Sequence, residues 1–127
     1  MGSEMCIRDR MDTFLFPADE CLVQKAKEVN EKVNPDIHTF TGIVASGDQF
    51  IASKEAKEKI VTNFHAFCAE MEGAAIAHAA YLNKVSCVII RAISDKADNS
   101  AVMDYPEFEK RAIRQNVRLV TELVAEI

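Results

Sequence analysis

Apolar residues recur along this chain with two periods. Leu22, Ala26, Val29 and Val33 are spaced four, three and four apart, which places them on one face of a helix. Pro17 and Asp19 precede that helix, and Asn34-Pro35 ends it, because proline disfavours the helical region in the residue before it. The run from Thr39 to Asp48 has a short apolar core bounded by Gly42 and Gly47, which predicts a buried strand running into a loop. Residues 54–60 are mostly polar and predict a surface helix, and residues 64–69 predict a second short strand. Residues 71–82 are rich in alanine, which favours a helix packed closely against a sheet, ended by Asn83-Lys84. Val85-Ser86-Cys87-Val88-Ile89-Ile90 is a nearly continuous run of strand-forming residues and predicts a strand covered on both faces. After a polar loop over 96–104, Phe108, Ala112, Ile113, Val117, Val120, Val124 and Ile127 trace one apolar stripe on a long terminal helix.

The predicted order is helix, strand, helix, strand, helix, strand, helix. Such alternation defines an α/β layer architecture around a central sheet. In sheets of this kind ligands sit outside the carboxyl ends of the strands. Three polar clusters fit that rule: Ser46-Gly47-Asp48-Gln49-Phe50, Glu70-Met71-Glu72 and Ser94-Asp95.

Length and charge narrow the classes of partner. A chain of 127 residues is one domain or part of one, and it can bury a core. With 15 Lys and Arg against 20 Asp and Glu the net charge is −5, which argues against nucleic-acid or anionic-membrane binding. No apolar run approaches the roughly 20 residues of a membrane span. Cys6, Cys21, Cys68 and Cys87 form no CxxC pair, and no apolar signal region precedes a cleavage site, so reduced thiols and a cytoplasmic location are expected. His38, His65 and His78 are scattered, with no metal-binding spacing, and no metal or organic cofactor is expected.

Residues 1–10 stand apart. Met1-Gly2-Ser3 resembles a vector-derived start, and Met5 to Arg10 resembles translated adaptor sequence; a second methionine, Met11, follows. A natural frayed terminus is the alternative. The expected division is therefore a non-native leader over 1–10 and one domain portion over 11–127.

Each polar cluster supports two readings. Asp95 follows an apolar strand, where desolvation raises a carboxyl pKa. An ordinary aspartate, with a pKa of about 3.9, is protonated about once in a thousand at pH 7, so a general acid there needs a shift of roughly three units. The plainer reading is a loop cap, or a pair with Arg91 or Lys96. Glu70 and Glu72 open a helix, where carboxylates compensate the macrodipole. Alternatively, one of them faces a pocket and accepts two hydroxyl donors, which suits a vicinal diol such as ribose. Met71 and Phe50 are then the walls of a site for a planar base, although such residues beside a strand are more often core.

Taken together, Val44-Ala45-Ser46-Gly47-Asp48-Gln49-Phe50-Ile51, then Ala69-Glu70-Met71-Glu72-Gly73-Ala74-Ala75-Ile76-Ala77-His78, then Val88-Ile89-Ile90-Arg91-Ala92-Ile93-Ser94-Asp95-Lys96-Ala97-Asp98 resemble the C-terminal half of the 5′-methylthioadenosine/S-adenosylhomocysteine nucleosidases. That family belongs to the purine nucleoside phosphorylase superfamily. The resemblance runs from about Asp12 to the end of the chain and covers about half of the family's domain. It implies part of a three-layer α/β/α sandwich of the nucleoside phosphorylase type, with the N-terminal strands absent. It also implies hydrolysis of an N-glycosidic bond without metal or cofactor, a small nucleoside as substrate, and a homodimer. By the same resemblance Asp95 protonates N7 of adenine and Ser94 orients its carboxyl. Glu72 holds the ribose hydroxyls, and Met71 lines the ribose pocket. The backbone at Phe50 and Ile51 binds the adenine edge while the Phe50 ring stacks on the base. Tyr105 stands where the family has an aromatic residue closing over the substrate, more usually Phe.

No counterpart of the family's water-activating glutamate occurs in these residues, so the isolated polypeptide is expected to be inactive or nearly so, with an exposed sheet edge. Four rival readings remain, the plainest a structural α/β fragment with no site. Nucleoside phosphorylases hold phosphate with arginine, and the hexameric type carries one in the loop after its Ser-Asp pair. Here that loop reads Lys96-Ala97-Asp98-Asn99-Ser100, which favours water as nucleophile. A futalosine- or deoxyadenosine-type nucleosidase shares the same machinery. A non-catalytic nucleoside-binding module would bind without turnover.

Overall fold

A computed structural model of the chain describes residues 15–48, 51, 53–93 and 105–127. Its elements are α1 (Glu20–Val33), β1 (Ile43–Ser46), α2 (Lys54–Phe64), β2 (Ala66–Glu70), α3 (Gly73–Leu82) and α4 (Tyr105–Glu126). They fall into two compact units, Met1–Asp19 with Gly42–Ile89 and Glu20–Thr41 with Ile90–Ile127. The expected leader over 1–10 and the loop over 96–104 lie outside the described residues.

In the first unit β1 and β2 pair in parallel, with Val44 opposite Cys68, Ala45 opposite Ala69 and Ser46 opposite Glu70. Parallel neighbours need a crossover, and α2 supplies it. Ser53 caps α2 by accepting the Ala56 N–H at 3.2 Å. At the other end His65 takes a left-handed conformation (φ 51°) and returns its N–H to Val61 O. That cap moves the start of the second strand from the expected position 64 to Ala66. Gly42 is needed for close approach: a Cβ there would collide with the Phe67 ring.

The run over 85–90 departs from expectation, for no strand is formed there. Its backbone groups go elsewhere. The Val85 N–H bonds to Ala80 O at 2.9 Å, closing the end of α3, and Cys87 O accepts the Asp19 N–H at 2.9 Å. The Ser86 hydroxyl donates to Asp19 Oδ2 at 2.8 Å. Strand-forming side chains supply propensity, but a strand exists through a ladder with a neighbour. Nor is the run covered on both faces, since Val85 is 61% exposed.

The second unit is built on α1 and α4. Ala26 and Val29 bury against Leu119 and Leu123, with Val33 and Ile90 at the margin, so the face read for α1 is the core face. The stripe read for α4 is mostly not. Ala112 is buried, but Ile113, Val117, Val120 and Val124 are exposed, while Leu119 and Leu123 do the packing. Successive helical residues point about 100° apart, so a choice of 120 and 124 over 119 and 123 turns the helix by that angle. Periodicity alone does not rank two apolar faces of one helix.

Polar groups fix the pairing. Asn34, at the end of α1, is 1% exposed. Its Nδ2 donates to Asn30 Oδ1 at 2.8 Å and to Gln115 O at 3.1 Å. Asn30 Nδ2 in turn donates to Thr39 Oγ1 at 2.8 Å. On the surface Lys32 meets Glu122 at 2.5 Å and Glu126 at 3.1 Å, and Lys25 meets Glu126 at 3.0 Å. Lys25 meets Glu126 while Asn34, beyond the other end of α1, meets Gln115, so the helices run antiparallel.

These ion pairs shift titration in both directions. Hydrogen bonds from Lys25 and Lys32 hold Glu126 below the usual glutamate range, and hydrogen bonds to Glu122 and Glu126 raise Lys32 above the usual lysine value. The Glu126 contribution is present above its unfolded-state value and lost as pH falls through the depressed one. The Lys32 contribution is present below the unfolded lysine value and lost as pH rises through the elevated one. Exposed pairs contribute little, so Glu126→Gln is expected to lower Tm slightly at neutral pH and low salt. The difference should vanish at acid pH and shrink at high salt, as thermal melts across pH and salt would show. A difference that persists in acid would mean that packing, not charge, carries the effect.

Candidate active site

The strand ends of the first unit hold a compact polar cluster. Because β1 and β2 are parallel, their carboxyl ends lie side by side, with Ser46 opposite Glu70. The chain then turns through Met71 and Glu72 into α3, whose first N–H groups have no partner within the helix. Glu70 Oε2 accepts the Glu72 N–H at 2.9 Å and the Gly73 N–H at 2.7 Å. Ser46 Oγ accepts the Ala74 N–H at 2.8 Å and donates its own proton to Glu70 Oε1. Gly47 N–H bonds back to Glu70 O at 3.0 Å. Two side chains, one from each strand end, thus take up the start of α3.

Gly73 makes the arrangement possible. It is buried, and a Cβ there would lie 2.8 Å from Glu70 Oε1 and 3.1 Å from its Cδ, so any larger residue displaces the carboxylate. Of the two acids flanking Met71, Glu70 therefore compensates the helix start. Glu72, at the N-cap with φ −121° and ψ −29°, makes no side-chain capping bond, and its side chain is exposed. Met71 is 50% exposed, so it is not a core residue.

The remaining site expectations fall as follows. Ile51 is half-buried in the first unit. Tyr105 opens α4 in the second unit, 61% exposed, with its ring 6.3 Å from that of Phe108. Phe50, Ser94 and Asp95 lie outside the described residues, so their roles stand on the resemblance. The structure brings Ser46 and Glu70 to the turn that carries Met71 and Glu72. Sequence reasoning placed both in its polar clusters and gave Glu70 a helix-dipole role shared with Glu72, but it gave Ser46 none. The available signal was Gly73, a residue without a side chain three positions after an acid.

A parallel β–α–β unit followed by a helix that starts at its strand ends defines an α/β protein. A profile of the phosphorylase superfamily matches residues 9–125, and the chain belongs to that superfamily. Among its relatives is the aminodeoxyfutalosine nucleosidase of Helicobacter pylori strain J99, 41% identical over 86 residues, or 68% of this chain and 37% of the relative. The 5′-methylthioadenosine/S-adenosylhomocysteine nucleosidase of Desulfotalea psychrophila is 40% identical over 114 residues, or 88% of this chain and 48% of the relative. The crystal structure of the Campylobacter jejuni 5′-methylthioadenosine/S-adenosyl homocysteine nucleosidase superposes with a TM-score of 0.84 at 34% identity, covering 91% of this chain and 50% of that one. The futalosine hydrolase of Helicobacter pylori strain 26695 superposes at 0.76 with 35% identity, covering 88% and 46%. The chain thus spans half or less of the length of these relatives.

Proposed function

We propose that this chain carries the nucleoside-binding and leaving-group part of an enzyme that hydrolyses the N-glycosidic bond of 5′-methylthioadenosine and S-adenosylhomocysteine, releasing adenine. The observation that carries the reading is the Met71–Glu72 turn, held at the ends of two parallel strands with the Glu72 carboxylate outside the cap. An ionised carboxylate there accepts both hydroxyls of a ribose diol, and Met71 is a soft wall beside it. Phe50 stacks on adenine, the Phe50 and Ile51 backbone reads its edge, and Tyr105 closes over the substrate. Asp95, oriented by Ser94, gives its proton to N7, so that the departing base leaves neutral. Positive charge grows on the sugar as the bond breaks, and the Glu72 carboxylate stabilises it. The intact enzyme is a cytoplasmic homodimer. The resemblance assigns no residue among these 127 to activate water, so the polypeptide alone binds nucleosides without turning them over.

Relatives named for aminodeoxyfutalosine are as similar as those named for 5′-methylthioadenosine, which supports a second reading with that substrate. Binding is tested by thermal shift with both nucleosides. At a ligand concentration about a hundredfold above Kd, Tm should rise by about 10 °C. Glu72→Gln should weaken binding by about 10- to 100-fold, the loss of a hydrogen bond to a charged acceptor. The larger shift identifies the preferred 5′ group. Silence toward every purine nucleoside would reject the nucleoside site, and full-rate adenine release by the chain alone would reject the divided machinery.

A further inference from the structure

We infer that Glu70 and Ser46 are positioning residues that set the Met71–Glu72 turn for a vicinal diol, an inference that rests on the nucleosidase reading above. Three N–H groups in succession, those of Glu72, Gly73 and Ala74, are held by these two side chains at 2.9, 2.7 and 2.8 Å. The two side chains are themselves hydrogen-bonded across the strand pair, where Ser46 and Glu70 stand in register. The turn is therefore referenced to both strands at once. A helix of this kind is ordinarily capped by the side chain of its own N-cap residue. Here the N-cap residue is Glu72, and the capping is done from two residues upstream.

That division of labour has a chemical consequence. A Glu72 side chain folded back onto the helix start would spend its acceptor oxygens on backbone N–H groups. With Glu70 in that role, the Glu72 backbone is pinned through its own N–H, while Glu72 itself is exposed and makes no capping bond. Removal of Glu70 leaves the Glu72 and Gly73 N–H groups without their acceptor, so the backbone that carries Glu72 loses its anchor. The expected result of that removal is a displaced Glu72 and loss of the diol ligand. The recognition of ribose, not of the base, is then what Glu70 controls. Gly73 belongs to the same device, since a Cβ at 2.8 Å from Oε1 would push the Glu70 carboxylate out of place.

The test compares the 127-residue chain with Glu70→Ala, Glu70→Gln and Gly73→Ala. The probes are adenine, 5′-methylthioadenosine and the 2′,3′-dideoxy form of that nucleoside, with amide hydrogen exchange read at Glu72, Gly73 and Ala74. Glu70→Ala should lose about tenfold in preference for the diol over the dideoxy form, roughly one hydrogen bond, while adenine affinity holds. Exchange at Glu72 and Gly73 should accelerate by a similar factor. Glu70→Gln keeps an acceptor oxygen for those N–H groups and should retain the preference. Where Glu70→Ala does not fold, Gly73→Ala reports the same loss. A preference that survives both Glu70→Ala and Gly73→Ala overturns the inference, as does a uniform weakening of all three probes that follows Tm. If the unaltered chain itself shows no preference for the diol, the nucleosidase reading fails and this inference fails with it.

Discussion

Asp95→Asn is expected to lower adenine release by about 10²–10⁴-fold, the usual contribution of a general acid. The measurement needs a preparation that turns over, such as residues 11–127 joined behind the N-terminal half of the Campylobacter jejuni nucleosidase. Asparagine is close to aspartate in shape and its amide still donates a hydrogen bond, so nucleoside affinity should change by less than about tenfold. What it lacks is a transferable proton. The pH profile separates the two roles. With Asp95 as the proton donor of the proposed reaction, the rate should fall as pH rises and the acid form is lost, because an ordinary aspartate is protonated about once in a thousand at pH 7. In the Asp95→Asn variant that limb of the profile should disappear. An unchanged rate in the variant would remove Asp95 from the reaction, whatever its place in the fold.

The second large effect concerns stability. Asn34→Asp is expected to destabilise the second unit by about 3 kcal/mol or more at neutral pH, by leaving a carboxylate buried without a partner. The present amide faces two acceptors, Asn30 Oδ1 and Gln115 O, so its NH2 must point at both. Its own Oδ1 is buried and has no hydrogen-bond partner among the described residues. A carboxylate in that place directs oxygen at oxygen on two sides. The site would hold such a group neutral, raising its folded-state pKa. The sign follows: the penalty is full above that elevated value and shrinks as pH falls through it toward the unfolded-state value. Chemical denaturation of the variant at neutral and acid pH should show partial recovery in acid. Equal stability of variant and parent at neutral pH would mean that the Asn34 environment is wetter than its 1% exposure indicates.

Some of this molecule was legible from residue order. The face of α1 was clear because it has a single apolar stripe and a proline stop, and both are local facts. The first strand was clear because two glycines bound it. The run over 85–90 misled, since its side chains favour a strand while pairing requires a neighbour's backbone. The α4 stripe misled in another way: Val120 and Val124 repeat as well as Leu119 and Leu123, and the choice between them belongs to what α1 presents.

The candidate site divides along the same line. Residue order alone determined an α/β alternation, acids at the strand ends and three motifs spaced as in the nucleosidases, because those depend on side-chain type and on distance along the chain. Tertiary structure alone decided which of Glu70 and Glu72 caps α3. That choice turns on Ser46, which lies 24 residues upstream of Glu70 and comes into register with it only when two parallel strands pair. Hydrogen bonds are short-ranged and directional, so a partner brought in by strand pairing leaves no mark in local spacing.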